Sequence, residues 1–273
     1  MDTVSSDLQS RPPWTLLYAD DVVVAASTRE ELQEVMQAWK GRLERYGMKF
    51  NTKKTEYLEC GDQTPGHVAI NSEELPKASV FKYLGSRIAA DSNTLTEAEC
   101  RANAAWSKCR QVTSVMCDKK VPLKLKSKIY RTVVRPVALY GAECWPTTLK
   151  YVQTPHTMEK RMLRWTWGNT RLDRVRNEDV RPLSGVAPVT AKMREARLRW
   201  YSHVLRSDES LVAKPAMNIT VEGRRPRRRP KTRWLVRTED DMWLLKLRTN
   251  DVSDRRKWRN CTGNADPKPW KTS

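Results

Sequence analysis

The chain has 273 residues, 39% of them apolar, with 51 Lys and Arg against 32 Asp and Glu and a formal net charge of +19. That length predicts one or two domains with enough chain for a hydrophobic core, and the apolar content is modest rather than that of a disordered polymer. The charge is segregated: residues 1–95 hold 11 Lys and Arg against 14 Asp and Glu, net −3, leaving 40 against 18, net +22, for residues 96–273. A field of that size predicts a polyanionic partner bound more weakly as salt rises. No apolar run reaches transmembrane length and the N-terminus has no apolar signal core, so the expected setting is intracellular, nuclear or cytoplasmic, with no secretion and no membrane. Six cysteines show no two-residue spacing of the kind zinc sites use, which predicts reduced, structural thiols. The three histidines, His67, His156 and His203, are isolated in sequence.

The first element spans 14–26, where Asp20 and Asp21 stand between two five-residue apolar runs with no polar alternation. Such runs predict strands covered on both faces, and the Ala19-Asp20-Asp21 step predicts the tip of a tight hairpin. Two neighbouring carboxylates beneath buried strands would have a raised pKa in at least one of them unless a cation neutralised the pair. A divalent metal such as Mg²⁺, which takes oxygen ligands and sits between carboxylates and phosphates, is the chemical answer. An ordinary Asp-rich surface turn is the bland alternative.

Ser27-Thr-Arg-Glu30 reads as a capping box, and Leu32, Val35, Met36, Trp39, Leu43 and Tyr46 recur at helical spacing until Gly47 stops the helix. Asn51-Thr-Lys-Lys54-Thr55 follows, and then Phe81-Lys82-Tyr83-Leu84-Gly85. From Thr96 onward the pattern is helical, with a second capping box at 96–99 and a stripe of Ala98, Ala102, Ala105, Cys109, Val112 and Met116. Pro122 suits the first turn of the next helix, and Pro136 should end or kink it. Further helices are expected at about 156–167, closed by Gly168, and about 189–206. Arg224, Arg225, Arg227, Arg228, Arg229, Lys231 and Arg233 crowd ten positions broken by two prolines, which predicts an extended basic linker for phosphate binding or nuclear import. A solvated charge run is its bland alternative. Trp165 and Trp200 lie on strong helical stripes and read as core, whereas for Trp234 and Trp258 core and base stacking stand level.

Tyr18-Ala19-Asp20-Asp21 between apolar strands resembles the catalytic hairpin of reverse transcriptases. Gly47 to Leu58 looks like the next palm motif of non-LTR retrotransposon polymerases, and Phe81 to Gly85 resembles the hairpin that grips the primer end. Further stretches at 129–141, 161–165, 197–204 and 223–234 look like the thumb and trailing region of RTE-type elements, although Ser202 and Arg228 stand where the family pattern has Gly. The resemblance implies an RNA-directed DNA polymerase working by two-metal nucleotidyl transfer with Mg²⁺ or Mn²⁺, on an RNA template, a DNA primer and deoxynucleoside triphosphates. It implies that Asp20 and Asp21 hold metal, that Tyr18 aligns the incoming nucleotide, that Lys54 lies near the triphosphate, and that Phe81, Lys82, Tyr83, Leu84 and Gly85 position the primer.

In that family a further catalytic Asp and the fingers precede the hairpin, and only seventeen residues precede Tyr18. The expectation is therefore a C-terminal fragment that is inactive alone unless another chain supplies the missing palm and fingers. The alternative is a non-catalytic nucleic-acid-binding remnant of a mobile element. The expected fold is α+β: a partial palm over 1–92, a mainly helical thumb-like region over 96–206, and an irregular basic tail over 207–273 with one short helix near 238–247.

Overall fold

A computed structural model describes residues 8, 15–61, 63–91, 95–145, 149–169, 173–209, 211, 213–218 and 233–267. The chain divides into two compact units, Met1–Asn93 and Thr94–Ser273.

In the first unit, β1 (Thr15–Tyr18) pairs antiparallel with β2 (Asp21–Val24), Tyr18 lying opposite Asp21. The long helix α1 (Arg29–Arg45) follows, and then two further antiparallel hairpins, β3 (Ala69–Ile70) with β4 (Glu73–Glu74) and β5 (Val80–Tyr83) with β6 (Ser86–Ala89). Among the described residues each hairpin is its own two-stranded sheet, so they do not form one continuous palm sheet. The expectation that β1 and β2 are covered on both faces is not met. Only Thr15 is buried among their residues, because among the described residues no further strand pairs with this two-stranded ribbon, and its strands stay partly open to solvent.

The α1 cap is displaced by one residue from the sequence expectation. Thr28 Oγ1 accepts from the Glu31 N–H at 3.1 Å, and Glu31 Oε2 accepts from the Ser27 N–H at 3.0 Å. This reciprocal pattern satisfies two orphan donors at the helix start, with Glu31 in the place expected of Glu30. Gly47 ends the helix at φ 72°, where the Met48 N–H reaches back to the Leu43 carbonyl at 2.9 Å. Met36, Trp39 and Leu43 are buried as the stripe requires, but Tyr46 falls beyond the last turn and is 57% exposed. Met36 packs with Tyr57, Val68, Ile70 and Leu75 to make the core of this unit. The Gln33 amide locks α1 to the β3 strand, donating to the Ala69 carbonyl at 2.8 Å and accepting from its N–H at 2.9 Å.

The second unit is helical. Helix α2 (Leu95–Gln111) carries the Ala/Cys stripe inward, Ala98, Ala102, Ala105 and Cys109 being buried, and α3 (Thr113–Met116) continues it to Met116. Helix α4 (Leu123–Ile129) runs through a π turn at Tyr130–Val134 into α5 (Arg135–Ala138). The α-helical run is thus interrupted just before Pro136, which lies in the first turn of α5. The extra residue of the π turn moves the hydrogen-bond register in the turn before it, with the Arg135 N–H bonding the Tyr130 carbonyl. Helix α6 (Leu149–Trp167) starts earlier than periodicity suggests and accommodates Pro155 internally, while Gly168 closes it at φ 70° as expected. Helix α7 (Asn177–Ser184) and α8 (Val189–Arg206) follow, the latter at the expected bounds.

Beyond α9 (Ala213–Met217), the tail carries the one short helix foreseen for it, a few residues earlier than expected, and more regular structure besides. Helix α10 (Trp234–Leu244), a 3₁₀ turn at Thr249–Ser253 and α11 (Arg255–Thr262) fold back on α8. Met242, Leu247, Val252 and Trp258 converge on Leu198 and Tyr201 to build a core of their own.

Glu59 organises the loop of the first unit. It accepts from Lys77 Nζ at 2.5 Å and from the Thr64 N–H and Oγ1 at 3.1 and 2.5 Å, and it lies 3.4 Å from Arg29. Lys77 foremost, and then Thr64, hold its carboxyl down at about 2. A depressed folded pKa means that this ionised group stabilises the fold above the unfolded value near 4.5, and that the contribution fades as pH falls toward 2. Glu59→Gln should therefore flatten the acid limb of unfolding in that window, followed by circular dichroism. An acid limb identical to the wild type would refute the contribution.

Candidate functional site

The hairpin at 15–24 presents Tyr18, Asp20 and Asp21 outward, all three exposed. Ala19, the first of its two turn residues, has φ 53°, a left-handed conformation that an L side chain rarely adopts. The strain is local to the carboxylate-bearing tip and fixes where the two Asp side chains emerge. Two adjacent carboxylates are hard oxygen donors of the type Mg²⁺ takes, and their open position leaves room for phosphate oxygens and water in the remaining coordination sites. Among the described residues no group of three or more His, Cys, Asp or Glu side chains could hold a metal ion by itself.

The β5–β6 hairpin turns at Leu84 and Gly85, both with positive φ, 47° and 84°, which is the twist that tight two-residue hairpins require. Phe81 and Tyr83 are half-buried, while Lys82 and Leu84 face solvent. Burial foremost, and the Asp21 carboxylate after it, push the Tyr83 phenol above its ordinary pKa. Tyr83 therefore feels the charge of Asp21, sixty-two residues away in sequence. Lys54 sits exposed in a turn, its N–H on the Asn51 carbonyl at 2.9 Å.

Of the basic linker, Arg224, Arg225, Arg227, Arg228, Arg229 and Lys231 lie outside the described residues, and Arg233 is exposed at the start of α10. Trp258 and Trp234 resolve toward packing: Trp258 is 3% exposed and donates to the Leu198 carbonyl at 3.1 Å, and Trp234 donates to the Glu143 carbonyl at 2.8 Å. His156 lies against Arg181 at 2.7 Å and His67 lies 3.4 Å from Glu74, while His203 is exposed on α8. The six cysteines are free thiols.

Two features carry no sequence motif. The first is a fully buried carboxylate, Glu159, which accepts from Tyr130 Oη at 2.9 Å, Arg181 Nε at 3.1 Å and the Val189 N–H at 3.1 Å. Burial raises its pKa, opposed by those same donors. The second is a cleft between α8 and α11 lined by Arg199, Arg206, Arg255 and Arg259. Helical spacing of basic residues on α8 is its one trace in sequence, since Arg255 and Arg259 meet it only through the fold.

Residues 1–88 match the family described as reverse transcriptase (RNA-dependent DNA polymerase), a span that contains the Asp20-Asp21 hairpin, α1 and most of the β5–β6 hairpin. The first third of the chain is therefore reverse-transcriptase-like. Over 202 residues, covering 70% of this chain and 71% of the relative, the sequence is 27% identical to a transposon-derived protein of Caenorhabditis elegans. No solved structure matches the chain.

The strained turn makes its own prediction. Ala19→Val should destabilise the hairpin by about 1–2 kcal/mol, because a β-branched side chain is still less suited to the left-handed region, whereas Ala19→Gly should leave it unchanged or firmer. Hydrogen exchange of the amides in residues 15–24 reads the difference, and equal protection in both variants would contradict it.

Proposed function

We propose that this chain serves RNA-directed DNA synthesis in a non-LTR retrotransposon of the RTE type. Its first unit contributes the carboxylate hairpin of the polymerase, and its helical unit holds the nucleic acid. The observation that carries this reading is the tight hairpin within the reverse-transcriptase-like span, which presents Asp20 and Asp21 side by side to solvent.

In this reading Asp20 and Asp21 hold Mg²⁺, or Mn²⁺ in its place, and the ion supplies the positive charge that phosphoryl transfer needs as negative charge develops on the transferring group. Tyr18, next to the pair on β1, aligns the incoming deoxynucleoside triphosphate. Lys54 offers a solvated cation to its phosphates, and the Phe81–Gly85 hairpin, coupled to Asp21 through Tyr83, sets the primer end. The excess of positive charge over 96–273 favours template RNA and primer DNA as partners.

A two-metal clamp needs carboxylates on both sides of the ions. Asp20 and Asp21 are one side of it, and in this reading the other comes from outside the described residues. A non-catalytic role in binding nucleic acid would leave the helical unit its function and the hairpin none.

Primer extension on an RNA template with Mg²⁺ separates these outcomes. The expected result is no extension by the chain alone, and extension once a polypeptide carrying the complementary palm and fingers is added. That extension should fall at least a hundredfold with Asp20→Asn or Asp21→Asn. Extension by the chain alone that Asp20→Asn abolishes would show that the site is complete. Complemented extension indifferent to both substitutions would remove the role assigned to the hairpin.

A further inference from the structure

The cleft between α8 and α11 is lined mainly by arginine and hydroxyl-bearing side chains. It encloses about 580 Å³, and its lining includes Arg199, Ser202, His203, Arg206, Arg255, Arg259 and Thr262, with Trp258 among the residues beneath them. One wall is a row on α8, where Arg199, His203 and Arg206 follow at i, i+4 and i+7, a length of about 10 Å along the axis. The other is α11, where Arg255 and Arg259 stand one turn apart.

The balance of charge in this cleft is unmet. Its lining contains a single carboxylate, Glu195, and that group is already engaged by Lys192 Nζ at 2.9 Å, Arg199 Nη2 at 2.6 Å and the Asn264 N–H at 3.1 Å. Arg206 donates to the Val252 carbonyl at 2.8 Å, and among the described residues neither it nor Arg255 nor Arg259 pairs with a carboxylate. Burial and the like charge of Arg255 both lower the Arg206 pKa, the mark of cations held together without a counter-charge. Elsewhere in the same unit buried arginines are neutralised, Arg135 by Asp266 at 2.6 Å and Arg181 by Glu159 at 3.1 Å. In the α8–α11 cleft Arg206, Arg255 and Arg259 have no such partner among the described residues, and the repulsion among them is what a bound anion would relieve.

We infer that this cleft is a binding site for the phosphodiester backbone of a nucleic acid, gripped between the α8 row and Arg255 and Arg259. The α8 row of about 10 Å is long enough to run beside more than one phosphate of a strand. Arginine suits this work because its planar fork meets phosphate oxygens two at a time. The inference deepens the nucleic-acid-binding half of the proposed function and rests on it, but it assigns the grip to folded residues of α8 and α11 rather than to the basic run at 224–233.

Binding of a 20-nucleotide single-stranded RNA to the whole chain, followed by fluorescence anisotropy between 50 and 200 mM KCl, tests the inference. Arg255→Gln/Arg259→Gln removes two cations that make no side-chain hydrogen bond among the described residues, and an unchanged unfolding midpoint verifies the fold. The slope of log affinity against log salt should fall by about 1.4, which is about sevenfold less loss of affinity across that range. Arg255→Lys/Arg259→Lys should restore most of the slope, and Lys119→Gln/Lys120→Gln should leave it unchanged. Binding by the wild type with the same slope in the Arg255→Gln/Arg259→Gln protein overturns the cleft while leaving the binding reading intact. No binding by the wild-type chain overturns both. Saturable displacement of the RNA by micromolar pyrophosphate would assign the cleft to a free polyphosphate and also overturn the inference.

Discussion

The second unit is organised around one buried charge. Glu159 on α6 has no solvent contact, yet it receives a donor from the π turn, one from α7 and one from the first residue of α8. A carboxylate taken out of water is tolerated only when its lone pairs are filled in this way. The requirement works in reverse as well: once α6 places Glu159, Tyr130, Arg181 and the start of α8 must converge on it. Asp266 makes a second, shallower tie, receiving both Arg135 guanidinium nitrogens at 2.6 and 2.8 Å and the Ala187 N–H at 2.9 Å. Asp241 makes a third, with Arg194 at 3.2 Å and with the buried Arg197 of α8. Each holds a segment at or near α8, so that helix is fixed at its N-terminus by Glu159 and along its length by Asp241.

This arrangement divides the positive charge into two populations. Arginines that face inward are matched by acidic partners and serve the fold. Arg206 of α8 and Arg255 and Arg259 of α11 have no carboxylate partner among the described residues, and the packing of α11 on α8 keeps their charges close to one another. Unpaired like charges held on rigid elements are unfavourable for stability and favourable for binding a polyanion, which is the trade that the net +22 of residues 96–273 expresses locally. The first unit works differently. It is net negative, its hairpins are small, and its chemistry is placed at strained or open turns.

Much of this was legible in the sequence where a local rule suffices. The Tyr18–Asp21 hairpin follows from two apolar runs around a two-residue turn, and α1, α2 and α8 follow from apolar spacing with Gly47 as a stop. What failed did so for physical reasons. The β1 and β2 runs suggested burial on both faces, but apolar composition cannot say whether a neighbouring strand is present to cover them. Pro136 suggested an end or a kink, and what stands before it is a π turn, a form of interruption that apolar spacing cannot specify. In the tail at 234–262 the expected short helix is present as α10, but the 3₁₀ turn and α11 beyond it were read as irregular chain, and the core made from Met242, Leu247, Val252 and Trp258 becomes visible only against Leu198 and Tyr201. Glu159 and the arginine cleft were illegible for a shared reason: each depends on residues distant in sequence, and no spacing rule connects them.

The dependence of the helical unit on Glu159 is tested most directly by urea unfolding of the Glu159→Ala protein. Truncation leaves the Tyr130 hydroxyl, the Val189 N–H and a largely buried Arg181 guanidinium without their acceptor, so stability should fall by about 3 kcal/mol, with amide protection lost first at the start of α8. A loss below about 0.5 kcal/mol, the range of an ordinary surface substitution, would contradict the claim that this carboxylate organises the unit.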